Sequence, residues 1–191
     1  MYWKDEGYLL SKNNLNENSI LIETFTLEHG KYTGIVYGGT SRKQKGNFQT
    51  GNKILLNWKS KNENRTGYFN VELLKPIAPL FFEDKKRTVC ILSATSILKI
   101  LLPERETNKN IYNSFENMLN GLKFDNWINL YINWELSLIK ELGFENIVKN
   151  KKNEDIKKAL SYNRNLLMEN FIIPNRMKFP LFRNILENYF N

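Results

Sequence analysis

The feature that most constrains this chain is a change of hydrophobic period at Lys75-Pro-Ile-Ala-Pro79. Before it, apolar residues recur every second position; after it, they recur every third or fourth. Two prolines within five residues can join neither a central strand nor a helix interior, so they mark the joint between two kinds of structure. The reading that follows is an α+β chain of two domains, residues 1–78 and 79–191.

In the first half, Asp5 to Leu10 reads as a short strand and Ser19 to Leu27 as a second, rich in β-branched and aromatic residues. Glu28-His29-Gly30-Lys31 reads as a tight turn, with Gly30 free to take a positive φ, leading into a strand over Lys31 to Gly38. Gly34 inside that strand predicts a bulge or sharp bend. Asn52 to Lys59 sets Ile54, Leu56 and Trp58 against Asn57 and Lys59, and Gly67 to Leu74 sets Phe69, Val71 and Leu73 against Tyr68, Asn70 and Glu72. Five short strands predict a small closed barrel, of which the OB-fold is the commonest form; period two alone leaves an SH3-like barrel open.

The second half reads as helices. Cys90, Ala94, Leu98 and Leu101 share a face that Pro103 ends, and Ile111 to Leu122 follows a helical stripe. A third helix is expected from an N-cap at Asp125 to a stop at Gly143, apolar on almost every face and therefore central in a bundle. Lys149 to Lys158 reads as a solvated loop running into a helix. Pro180 opens a last helix with Leu181, Phe182, Ile185, Leu186, Tyr189 and Phe190.

Charge narrows the function. There are 28 Lys and Arg against 20 Asp and Glu, a net +8 that favours an anionic partner. Between Lys31 and Arg65 the only acid is Glu63, and the basic candidates for phosphate contact are Lys31, Arg42, Lys43, Lys45, Lys59, Lys61 and Arg65. Basic loops at a barrel mouth can track a phosphate backbone, and Tyr37, Phe48, Trp58 and Tyr68 interleave with them as possible stacking platforms. The plainer reading stands beside this: charged loops are commonly just solvated, and Trp58 shares a face with Ile54 and Leu56, which suits a core residue better than a platform.

Catalytic chemistry has little to stand on. The single cysteine, Cys90, excludes an intrachain disulfide or a cysteine-cluster zinc site and reads as a core residue, while the single histidine, His29, reads as exposed beside its turn. Gly38-Gly39 lacks the Gly-Lys-Ser/Thr ending of a phosphate-binding loop. A non-enzyme without cofactor or metal is expected. No apolar run is long enough to cross a bilayer, and the opening Met1-Tyr-Trp-Lys-Asp-Glu is unlike a secretion signal, so the expected location is cytoplasmic, with no membrane partner.

Several short motifs, in order, resemble the RecO family of recombination mediators in bacterial DNA repair. These are Asp5-Glu6-Gly7-Tyr8-Leu9-Leu10, Glu17-Asn18-Ser19, Phe25 to Lys31, Gly34 and Gly38 with Arg42, and Gly51 with Leu55 to Trp58. In the helical half they are Leu102-Pro103-Glu104-Arg105-Glu106, Glu135-Leu136, Glu141-Leu142-Gly143-Phe144 and, less specifically, Arg183 to Leu186. The resemblance implies an N-terminal five-stranded OB-fold barrel followed by an all-α helical domain. It implies a nucleoid-associated protein that binds single- and double-stranded DNA, anneals complementary strands, and with RecR helps load RecA onto strands coated by single-stranded DNA-binding protein. The acidic, hydrophobic C-terminal tail of that coating protein would meet the helical domain, with Lys140 as a candidate rim residue. Many members carry a zinc-binding cysteine cluster before the last helix; here that region is short and has no cysteine, so no metal is carried over. Two rival readings are an RNA-associated OB-fold protein and a protein-interaction module without nucleic-acid binding.

Overall fold

In the computed structural model, which describes residues 1–42, 44, 46–62, 66–144 and 155–190, the first half forms five strands. They are β1 (Tyr2–Asn14), β2 (Ser19–Thr26), β3 (Gly30–Tyr37), β4 (Lys53–Lys59) and β5 (Gly67–Lys75). The strand order β1-β2-β3-β5-β4 closes on itself. All pairings are antiparallel except the short parallel seam of β3 with β5, at Gly34–Gly67 and Ile35–Tyr68. This is the OB-fold solution, and it settles the choice that period two left open.

β1 is thirteen residues long, well beyond the six expected. Its first half pairs with β4 and its second with β2, and a register shift between Leu9 and Ser11 bends it from one partner to the other. Polar ends such as Lys4 and Asn13 hide such a strand, because only its middle carries a strong apolar signal. The bulge expected at Gly34 is not there. A Cβ on Gly34 would lie 2.5 Å from the Phe69 ring, so the glycine serves a close approach across the barrel seam. Leu9, Ile20, Ile22, Val36, Phe48, Ile54, Leu56, Trp58, Phe69 and Val71 fill the interior, and each full burial of such a side chain stabilises by about 1.5–3 kcal/mol.

The barrel's compact unit runs on to Asn108, past the joint read at residue 78. α1 (Lys85–Leu101) packs on β1 and buries Cys90, Ile91, Ala94, Ile97 and Leu98. Its N-cap Asp84 accepts the Arg87 N–H, and Leu102 and Pro103 end it. The joint itself is held by buried Asn52, whose Oδ1 accepts the N–H groups of Ile77 (2.8 Å) and Ala78 (3.0 Å). After α1 the chain returns to β3: Arg105 N–H donates to Lys31 C=O at 2.8 Å. Gly30, at φ +73°, lies so near Glu106 that a Cβ would sit 2.0 Å from its carbonyl oxygen.

The second unit, Lys109–Asn191, contains α2 (Lys109–Gly121), α3 (Trp127–Ile139), α4 (Ile156–Leu167) and α5 (Leu181–Asn188). α3 packs against α2 and α4, as a central helix should. It is not apolar all round, because Asn129, Asn133 and Ser137 form an exposed stripe at spacing four. Nor does Asp125 cap it: the helix follows Asn126 without a side-chain cap, its entry closed by backbone bonds from Trp127 to Phe124 and from Leu130 to Asn126. A π-helical turn over Lys140–Phe144 follows α3, and within it Gly143 leaves helical geometry at φ +98°, as its stop signal predicts. Of the expected loop over Lys149 to Lys158, residues up to 154 lie outside the described residues; Asp155 caps α4 through the N–H groups of Lys157 and Lys158.

α5 opens at Pro180 as expected and turns a charged side chain inward. Leu181 is 67% exposed, whereas Arg183 is fully buried. Arg183 spans the carboxylate of Glu135 on α3, donating from Nε at 2.5 Å and Nη2 at 3.2 Å, and reaches Glu187 from Nη1 at 3.2 Å. Tyr131 donates to Glu135 at 2.6 Å and Asn163 at 3.1 Å. Burial alone would favour a neutral guanidine; the carboxylates of Glu135 and Glu187 and the Tyr131 hydroxyl outweigh it and hold the Arg183 pKa above its ordinary value. Among the described residues no helix is long and apolar enough to cross a membrane.

Candidate nucleic-acid interface

The outer face of β1, β4, β5 and β3 carries a row of exposed rings. Register places Tyr2 opposite Lys59, Lys59 opposite Tyr68, and Tyr68 beside Ile35, two residues before Tyr37. Tyr37 is 69% exposed and Tyr68 is 43%, with ring centroids 6.1 Å apart. The Lys59 ammonium lies over the Tyr2 ring at 5.7 Å, and the Tyr2 hydroxyl donates to Asn57. At about 4.8 Å between strands, the row from Tyr2 to Tyr37 extends about 14 Å across the barrel wall. Lys4, Asn57 and Asn70 form the next rank behind it, so the face is polar between its rings.

The predicted basic residues divide. Arg42, five residues beyond β3, Lys59, a member of this row, and Lys61, two residues beyond β4, are exposed. Lys43, Lys45 and Arg65 lie outside the described residues. Lys31 is placed differently from the expectation: it is buried, its ammonium donating to the Lys99 carbonyl at 2.9 Å and pairing with Glu104 at 3.6 Å. It ties β3 to the end of α1 and the segment beyond, a consequence of the chain's return to the barrel that strand periodicity does not show. Lys53, which lies in the same stretch of sequence, pairs with Glu6 at 2.7 Å.

The aromatic candidates divide as well. Phe48 and Trp58 are core residues, while Tyr37 and Tyr68 face solvent. Tyr2 escapes the sequence reading because β1 is taken to start at Asp5; the alternation of Tyr2, Lys4 and Glu6 against Trp3, Asp5 and Gly7 is the signal that extends it. His29 is not simply exposed. Its ring stacks on Trp3 at 4.1 Å and its Nδ1 lies 2.9 Å from Asp5 Oδ2. Among the described residues no group of three or more His, Cys, Asp or Glu side chains is placed to hold a metal ion.

Two family models match the chain: "Recombination protein O N terminal" over residues 1–77 and "Recombination protein O C terminal" over residues 83–151. Among curated relatives, the DNA repair protein RecO of Cereibacter sphaeroides is 35% identical over 144 residues, covering 75% of this chain and 60% of the relative. That of Roseobacter denitrificans is 34% identical over 145 residues, with the same coverage. The Wolbachia protein of the same name is 32% identical over 147 residues, 76% of this chain and 60% of the relative. The chain thus spans about 60% of the length of these relatives.

Proposed function

The chain belongs to the recombination protein O family, and on that premise we propose that it is a bacterial DNA-repair mediator whose barrel holds DNA without reading its sequence. The observation that carries this reading is the exposed row of Tyr2, Lys59, Tyr68 and Tyr37, and exposed Arg42 and Lys61 follow β3 and β4 closely in the chain. Rings on a barrel wall stack on unpaired bases of any sequence, and cations neutralise the backbone phosphates. Lys43, Lys45 and Arg65 join this set as members of the same two basic loops. Lys31 does not, because its ammonium is already held inside the fold.

The mechanism is electrostatic and non-catalytic. Phosphate neutralisation on one protein lowers the repulsion between two complementary strands, which favours annealing. Through the family relationship the reading extends to partnership with RecR, to contact with the tail of the single-stranded DNA-binding protein, to loading of RecA, and to a place on the chromosome in the cytoplasm. Lys140, half-buried at the end of α3, is the rim residue offered for the tail.

The test is fluorescence anisotropy with labelled single-stranded DNA across a salt series, run beside a strand-annealing readout. Affinity is expected to fall steeply with salt, and Tyr37→Ala with Tyr68→Ala to weaken it by about tenfold or more. An absence of binding at low salt would overturn the reading in favour of a protein-interaction module. Stronger competition by RNA than by DNA of equal length would move it to an RNA partner.

A further inference from the structure

One end of the barrel, beside Tyr2, holds a recess of about 570 Å³ that the outer face does not use. Its lining includes Tyr2, Trp3, His29, Tyr32, Trp58 and Arg105. Trp3 is the centre of a stack, lying 4.1 Å from His29 with the rings 10° from parallel, and 5.5 Å from Trp58 at 15°. Tyr32 meets both indoles edge-on, at 5.0 Å and 5.5 Å. Asp5 fixes the stack from behind, contacting His29 Nδ1 and accepting the N–H groups of Glu6 and Glu28 at 2.8 Å and 2.9 Å. The outer member, His29, keeps 31% of its side chain exposed.

A hydrophobic plug for a barrel end needs rings alone. This end adds a cation. Arg105 sits at φ +63°, a region few non-glycine residues enter, and is held there by its N–H bond to Lys31 C=O. Its guanidinium lies 5.4 Å from the Tyr32 ring centre. Among the described residues no carboxylate lines the recess. Flat π faces beside a guanidinium, with no acid, select a ligand that is planar, aromatic and anionic. The volume falls within the roughly 300–1,000 Å³ of small-ligand sites.

We propose that this recess takes one nucleobase, stacked on His29 at the open end of the Trp58–Trp3–His29 stack, with its phosphate on Arg105. The proposal rests on the nucleic-acid reading of the barrel face, since the row of rings ends at Tyr2 on the lip of the recess. The base is supplied either by a strand lying along that row or by a free nucleotide, and the chemistry is the same for both.

The experiment follows the four tryptophan indole N–H signals of the full chain by NMR while two probes are added. One is deoxyadenosine monophosphate; the other is an oligothymidylate carrying a single 2-aminopurine. Both probes are expected to shift the Trp3 and Trp58 signals and to leave those of Trp127 and Trp134 in place. Arg105→Asn, which retains a residue tolerant of the left-handed region, is expected to weaken the nucleotide-induced shift about tenfold. The pair Tyr37→Ala and Tyr68→Ala should weaken strand binding and spare the mononucleotide response. A response to the mononucleotide without one to the strand identifies a free nucleotide as the occupant. Unmoved Trp3 and Trp58 signals with both probes, or an Arg105→Asn response equal to that of the unaltered chain, overturns the recess. If strand binding in the salt series persists in that case, the outer-face reading survives its loss; if strand binding is also absent, both fall.

Discussion

The barrel interior is filled by side chains without charge, from Leu9 and Ile22 to Trp58 and Val71, while the helical unit seats Glu135 and Arg183 fully out of solvent. The contrast follows from geometry. A strand sends alternate residues to opposite faces, so the barrel sorts its rings cleanly: Trp58 and Phe69 inward, Lys59 and Tyr68 outward. A helix meeting neighbours on several sides has no such single boundary. A carboxylate placed on α3 is surrounded, and it must be answered by a cation and by donors from other helices. The barrel's core cluster therefore holds no charge, its buried Asp5, Lys31 and Asn52 lying outside that cluster, whereas the helical unit keeps an ion pair within its interior.

The largest expected effect tests that internal charge. Arg183→Met leaves Glu135 buried without its cation and is expected to destabilise the helical unit by about 3–5 kcal/mol in denaturant unfolding. Replacing both, as Glu135→Leu with Arg183→Met, should recover most of the loss. A single variant as stable as the unaltered protein would erase the contrast between the two interiors.

The barrel's own vulnerable polar group is Asn52, and Asn52→Ala should cost about 2 kcal/mol by stranding the N–H groups of Ile77 and Ala78, read as an earlier unfolding midpoint of the barrel unit. A smaller effect, about 1 kcal/mol, is expected at Asp84, the cap of α1. Burial pushes its carboxyl up, but the Arg87 N–H and guanidinium and the Lys86 N–H prevail and hold it below its ordinary 3.8. A depressed folded-state pKa stabilises above the unfolded value and loses that contribution as pH falls through the folded one. The deficit of Asp84→Ala should thus be full at neutral pH and shrink below 3.8; a pH-independent deficit would point to packing instead.

The smallest effect on stability belongs to the outer face. Arg42→Ala and Lys61→Ala should leave unfolding unchanged within about 0.5 kcal/mol, since both residues are exposed. Each should reduce the slope of log affinity for single-stranded DNA against log salt by about 0.7. An unchanged slope removes that residue from the phosphate path.

Much of this was legible in the chain. All five strands, the first only in its middle, the turn at Gly30, α1 and α2, and the stop at Gly143 follow from period, branching and glycine, all of which act within a few residues. Trp58 was readable as core because Ile54 and Leu56 share its face. The errors occur where a distant partner decides the outcome. Lys31 looks like a phosphate ligand until the last turn of α1 supplies the Lys99 carbonyl and the segment after it supplies Glu104. His29 looks exposed until β1 brings Asp5 and Trp3 against it.

The sequence by itself determined that a small barrel precedes a set of helices, that the chain is basic, and that its motifs are those of one family. These are local or additive properties, carried by each residue wherever the chain goes. Tertiary structure alone decided which rings and cations face outward together. Tyr2 and Tyr37 stand thirty-five positions apart, and only closure of the barrel, with β5 inserted between β3 and β4, sets them on one row.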